Sequence, residues 1–120
     1  HTFAHAYEAT LGYSKKLNHG EAVILGIKSA LKFSLSIKIL NRDEFNLVEN
    51  HLKKLNLPAN IKKFFSIKDL DKIISFMKKD KKNNTKKINL VLLKSIGNPV
   101  YKLQFVESKI VSFLKKELIK

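Results

Sequence analysis

Apolar residues recur at helical spacing through most of this chain, and the pattern turns into β-rich runs only near residues 88–106. His1 to about Leu11 reads as a short helix ended by Gly12. Gly20 then opens a long helix, roughly Glu21 to Leu40, with Glu21 in the first turn suiting the positive end of the helix dipole. Val23, Ile27, Ala30, Leu31 and Leu35 form one stripe of it, which Ile24, Leu25 and Phe33 widen. A helix apolar on most sides belongs at the centre of its domain, and Gly26, Ser29 and Ala30 would admit a neighbouring helix closely. Asn41 is the expected N-cap of the next helix, with Glu44 at the capping-box position and Phe45, Val48, Leu52 and Leu55 on its apolar face. Leu57-Pro58 breaks the chain, and Ser66 to Asp69 forms a capping box for a helix through Leu70, Ile73, Ile74 and Met77. Asp80 to Lys87 has no apolar residue before Ile88 and reads as a loop. Ile88–Lys94 and Val100–Val106, separated by Ile96-Gly97-Asn98-Pro99, read as a hairpin. Ser108 then caps a last helix carrying Ile110, Val111, Phe113, Leu114 and Leu118. The expected fold class is mainly α, with one small β-hairpin.

At 120 residues this is a single domain's length of chain, with no internal repeat. It opens directly on the first helix, without Met or a lead-in strand, which is expected of a fragment boundary. The net charge of +14 invites a nucleic-acid reading, but the 24 basic residues are spread over every segment and only Arg42 is an arginine. No zinc-finger, RRM or helix-turn-helix pattern accompanies them. The absence of cysteine excludes disulfides and thiolate metal sites. The longest apolar run, Ala22 to Leu40, carries Lys28, Lys32 and Lys38, which argues against a membrane span.

The candidate chemistry lies at the start of the chain. Three of the four histidines, His1, His5 and His19, fall within the first nineteen residues. With about 100° of rotation per residue, His1, His5 and Glu8 share one arc of roughly 60° on the first helix. A short loop through Gly12 and Tyr13 would fold His19 back beside them. Imidazoles and carboxylates converging in this way suit a divalent metal such as zinc, and proton transfer near neutral pH. Histidines four apart on a helix are also commonly plain solvated or hydrogen-bonded residues, and the pattern is not HExxH. His51, beside Leu52 and Lys53-Lys54 on a charged amphipathic helix, reads as a surface residue.

The segment His1-Thr2-Phe3-Ala4-His5-Ala6-Tyr7-Glu8-Ala9, followed by Gly12-Tyr13 and His19-Gly20-Glu21-Ala22-Val23, resembles the metal-binding segment of the 3-dehydroquinate synthase family. Leu57-Pro58, Met77 to Lys82 and Leu90 to Gly97 continue the likeness in the family's order. The sequence departs at Ala4, where the family usually has Gly, at Ser14, and in a slightly longer loop before His19. The resemblance implies that residues 1–120 are the helical C-terminal, metal- and substrate-binding domain of a two-domain fold whose NAD-binding N-terminal domain is missing from this chain. It implies His1 and His19 as ligands of Zn2+ or Co2+, completed by an upstream glutamate, and His5 as the residue of substrate contact and proton transfer. It implies that Lys81 or Lys82 anchors the substrate phosphate. Glu8 and Glu21 are candidates for holding imidazole tautomers, or ordinary first-turn and solvated acids.

The implied activity is conversion of the sugar phosphate 3-deoxy-D-arabino-heptulosonate 7-phosphate to 3-dehydroquinate, in the shikimate route to aromatic amino acids. Hydride leaves C5 for NAD, the C6 proton becomes acidic and phosphate departs; hydride then returns, and an aldol step closes the ring. The full-length protein would be cytoplasmic and commonly a homodimer, with no nucleic-acid or membrane partner, and this chain alone is expected to be inactive. The alternatives are a related sugar-phosphate cyclase or metal-dependent polyol dehydrogenase domain and, from another class, a basic helical nucleic-acid-binding module.

Overall fold

The computed structural model describes residues 2–12, 17–55, 60–79, 87–95 and 98–119. Five helices and a hairpin follow in order: α1 (Thr2–Thr10), α2 (His19–Ser36), α3 (Arg42–Lys54), α4 (Leu70–Lys79), β1 (Lys87–Ser95), β2 (Asn98–Val106) and α5 (Glu107–Ile119). Two single 3₁₀ turns, Ile61–Lys63 and Ile67–Asp69, lead into α4. The mainly helical architecture with one hairpin is the expected one. No described helix is long and apolar enough to cross a membrane.

Polar side chains set the helix ends. The Gly12 N–H returns to the Ala9 carbonyl at 3.0 Å, with the glycine at φ +67°, a conformation that costs a Cβ-bearing residue more. α2 begins two residues before the expected Glu21 because Asn18, not Gly20, opens it. The Glu21 N–H donates to Asn18 Oδ1 at 2.8 Å, and the Asn18 N–H donates to Glu21 Oε1 at 3.0 Å. The same helix stops at Ser36 rather than running to Leu40. Ser34 and Ser36 donate their hydroxyls back to the Ala30 and Phe33 carbonyls, and Lys38 turns left-handed at φ +65°. The Ile39 and Leu40 N–H groups both reach the Ser34 carbonyl, which brings Leu40 down beside Leu31 and Phe45. Asn41 caps α3 as expected, accepting from the Glu44 N–H at 2.9 Å. The Ser66 N–H donates to Asp69 Oδ2 at 2.9 Å ahead of α4. α5 follows β2 without a linker, starting at Glu107 rather than after a Ser108 cap.

One core joins nearly all the elements. Phe3, Ala6 and Tyr7 from α1 pack with Leu25 and Phe33 from α2, Ile73 and Met77 from α4, Ile88 from β1, and Ile110, Phe113 and Leu114 from α5. Phe33 takes the edges of Phe105 and Phe113 at 5.0 and 5.1 Å between ring centroids. A second, smaller cluster of Leu31, Leu40 and Phe45, with Leu35 and Val48 against it, holds α3 on α2. The strands pair antiparallel from Lys87 opposite Val106 to Ser95 opposite Asn98, with two irregularities in register.

The buried side of α2 matches the expected stripe only in part: Leu31 of the stripe is buried, as are Leu25 and Phe33 that widen it, but the inward face is shifted. Ala22, Leu25, Gly26, Ser29 and Phe33 face inward, whereas Ile27 is 48% exposed. The reason is α1. A Cβ on Gly26 would stand 2.8 Å from the Ala4 backbone nitrogen and 2.9 Å from the Ala4 Cβ, so the small residues mark where α1 lies against α2.

Candidate functional site

α1 is the element that positions the chemistry. Thr2, Phe3, Ala4, Ala6, Tyr7, Ala9 and Thr10 are all buried, because α2 covers one side of the helix and α4 another. Only His5 is exposed, and Glu8, three residues later on the same face, is half-buried. The Tyr7 hydroxyl and Ser29 Oγ meet at 2.6 Å inside the α1–α2 contact. Burial pushes the Tyr7 phenol well above its ordinary range, the Ser29 bond works against that shift, and Glu117 adds to it. The phenol is therefore a neutral structural group, and the ring packs 5.2 Å from Phe65 between centroids. These contacts fix the rotation of α1 and hence the face on which His5 and Glu8 stand.

His19 meets that face. It is the first residue of α2, and its Nδ1 lies 3.1 Å from Glu8 Oε1. The Glu8 side chain is only 13% exposed, whereas that of His19 is 69% exposed, so the carboxylate is held by the fold and the ring projects from it. Glu21, the other acid proposed for this duty, is committed to the Asn18 cap. His51 is exposed on α3, as expected. Among the described residues, no three His, Asp or Glu side chains come together as a set able to hold a metal. His1, Lys81 and Lys82 lie outside the described residues, as do Leu57-Pro58.

The donor chemistry nevertheless fits a metal. A histidine whose Nδ1 is engaged by a carboxylate offers Nε2 to an ion, and imidazole suits zinc and cobalt. His19 could thus hold a metal through Nε2, as one member of a larger set. The sequence left Glu8 and Glu21 as equals, and the Asn-x-x-Glu pattern of residues 18–21 was the available signal separating them. Elsewhere, a cavity of about 470 Å³ between α2, α3 and α5 is lined by Lys32, Arg42, Phe45, Glu49, Lys116 and Glu117. Much of its charge is matched internally, with Lys32 on Glu117 at 2.7 Å and Glu49 on the buried Lys28 at 3.0 Å.

The helical arrangement is similar to that of 2-deoxy-scyllo-inosose synthase, solved in complex with carbaglucose-6-phosphate, NAD+ and Co2+. The TM-score is 0.72 at 21% identity, over 97% of this chain and 33% of that one. At that identity the likeness establishes the fold. The family follows from sequence: residues 1–83 match the profile described as 3-dehydroquinate synthase C-terminal, so the chain belongs to the 3-dehydroquinate synthase family. It is 72% identical over 120 residues to the 3-dehydroquinate synthase of Pelagibacter ubique, with all of this chain and 33% of that protein covered. The enzyme of Endomicrobium trichonymphae is 40% identical over 100 residues, covering 83% of this chain and 26% of its own length. That of Bradyrhizobium sp. strain BTAi1 is 32% identical over 123 residues, covering 98% and 32%. The chain thus spans about a third or less of the length of these relatives.

Proposed function

We propose that residues 1–120 are the metal- and substrate-handling C-terminal domain of a 3-dehydroquinate synthase, completed by an NAD-binding domain elsewhere in the whole protein. The observation that carries this reading is where the family match falls. It includes the stretch that carries His5 and Glu8 on one face of α1 and brings His19 of α2 onto Glu8, and it continues through Lys81 and Lys82.

The whole protein, in this reading, converts 3-deoxy-D-arabino-heptulosonate 7-phosphate to 3-dehydroquinate with loss of phosphate. When bound, zinc or cobalt supplies Lewis acidity toward the substrate's oxygens, and NAD supplies reversible hydride removal. His19, with His1, holds the metal. His5, exposed one turn before Glu8, contacts the substrate and moves its proton to or from an imidazole nitrogen. Lys81 or Lys82 holds the phosphate as a point charge. The buried flank of α1 keeps this edge in place without taking part in the reaction. The protein would work as a cytoplasmic homodimer.

The 72% identity to the Pelagibacter enzyme favours this substrate over that of another cyclase sharing the fold, and favours an enzyme over a basic nucleic-acid module. The test is phosphate release from the heptulosonate phosphate by the complete protein, with and without NAD and zinc, beside a His19→Ala variant. A hexose 6-phosphate runs in parallel. Release that needs both cofactors and collapses in the variant is expected. Release indifferent to His19, or confined to the hexose phosphate, would overturn the assignment.

A further inference from the structure

We propose that Glu8 is the positioning residue of His19, locking its imidazole in the tautomer that carries the proton on Nδ1 and leaves the Nε2 lone pair for the metal. The inference deepens the reading of His19 as a ligand and rests on it. An ionised carboxylate only accepts hydrogen bonds, so the 3.1 Å contact between Glu8 Oε1 and His19 Nδ1 requires the proton on Nδ1. A neutral imidazole then has one lone-pair nitrogen, Nε2, on the far side of the ring.

Two further features separate this pair from an incidental surface contact. Glu8 is anchored from below: seven of the nine residues of α1 are buried, and the Glu8 side chain is itself 13% exposed. His19 is anchored from behind, since the reciprocal bonds between Asn18 and Glu21 fix the first turn of α2 around it. The ring is thus held at its backbone and at Nδ1 while its side chain stays 69% exposed. An exposed side chain loses rotamer freedom when it is held in one orientation. Ordering it this way matters where one nitrogen must point in a fixed direction. Carboxylates that hold metal-binding histidines in this manner change metal affinity by about 10–100-fold. Glu21 is no rival, because its carboxylate closes the cap, and the contact between His19 and Glu8 uses Nδ1, leaving Nε2 unused by it.

The experiment uses the complete protein, stripped of metal and labelled with 15N-histidine. The His19 tautomer is read from the imidazole nitrogen–proton correlations, and zinc affinity is then measured by chelator competition. Wild type, Glu8→Ala, Glu8→Gln and His19→Ala are compared, with circular dichroism confirming that each folds. The expected wild-type state has the proton on Nδ1. Glu8→Ala should mix the tautomers and weaken zinc by about 10–100-fold. Glu8→Gln, whose side-chain oxygen still accepts, should keep the tautomer and most of the affinity. A wild-type ring protonated on Nε2, or on both nitrogens, would overturn the role given to Glu8, as would a Glu8→Ala protein with unchanged tautomer and affinity. If instead His19→Ala binds zinc as tightly as wild type, the ligand reading itself fails and the proposal fails with it.

Discussion

Gly26 sets how closely α1 approaches α2, and replacing it with alanine puts two opposing effects in competition. Alanine is the better helix former by about 1 kcal/mol, so on local grounds Gly26→Ala should stabilise the chain. The added Cβ, however, would stand 2.8 Å from the Ala4 nitrogen, 2.9 Å from its Cβ and 3.1 Å from its Cα. Non-bonded carbons rest at roughly 3.5–4.0 Å, so α1 must back away by about half an ångström to one ångström. Two of the three obstacles are main-chain atoms, which no rotamer change can remove. Overpacking of this kind costs about 1–3 kcal/mol, leaving a net loss of up to about 2 kcal/mol. The displacement also carries Glu8 away from His19, so lost stability should be accompanied by loss of the Nδ1-protonated tautomer. Urea unfolding followed by circular dichroism measures the first effect, read as a lower midpoint at unchanged m-value. Adding Ala4→Gly removes the Cβ obstacle but leaves the nitrogen at 2.8 Å, so only partial rescue is expected. A Gly26→Ala protein stabilised by about 1 kcal/mol would show that propensity outweighs the contact and that the helices are not held where described.

Three other contacts of the fold can be perturbed in turn. Tyr7→Phe leaves the Ser29 hydroxyl buried without its 2.6 Å partner and should cost about 1–2 kcal/mol, with the Tyr7→Phe/Ser29→Ala double variant costing less than the sum of the single changes. The same tyrosine gives an alkaline signature. Its folded-state pKa is raised mainly by burial, so the native chain keeps a proton that the unfolded chain loses near its ordinary 10.0. Stability therefore falls as pH rises past about 10, and Tyr7→Phe should flatten that fall in denaturation curves recorded across alkaline pH. On α2, Lys28 is buried with its ammonium 3.0 Å from Glu49, and that bond is the chief cause holding the Glu49 carboxyl below its ordinary 4.5. The stability from this shift is present above the unfolded value and lost as pH falls through the folded one, so Lys28→Met should flatten the acid limb. Glu49→Gln, which strands a buried ammonium, should destabilise more than Lys28→Met in urea at neutral pH. Asn18→Ala removes the cap of α2 and should cost about 1 kcal/mol in the same assay, while blurring the His19 tautomer without touching its ring.

Much of this fold could be read from the chain. Gly12, Asn41 and the β-rich runs Ile88–Lys94 and Val100–Val106 placed the end of α1, the start of α3 and the hairpin, because each depends on local chemistry that travels with the residue type. Where the reading failed, the cause lay in contacts distant in sequence. Apolar spacing counted Val23 and Ile27 as core, yet Ile27 is half exposed, since α1 takes the Gly26–Ser29 side. The apolar residues up to Leu40 look helical, but Lys38 turns left-handed, which a lysine does not announce. At the candidate site, the approach of His19 to the Glu8 face of α1 was legible from the helix spacing and the short loop between them. Glu21's commitment to the cap was also written in the Asn18-to-Glu21 spacing, which the neighbouring Gly20 obscures as a second candidate helix start.

The almost complete burial of α1 has a consequence for how variation along it should be read. At Phe3, Ala4, Ala6, Tyr7 and Ala9, any substitution disturbs packing, so intolerance there reports on folding and is silent about chemistry. His5 is exposed, whereas Glu8 is half-buried with its carboxylate on His19. If a library saturating α1 is selected for growth, His5 is the position on the helix where burial constrains the side chain least. Restriction among the survivors at His5 then bears on the role proposed for it more than on helix packing.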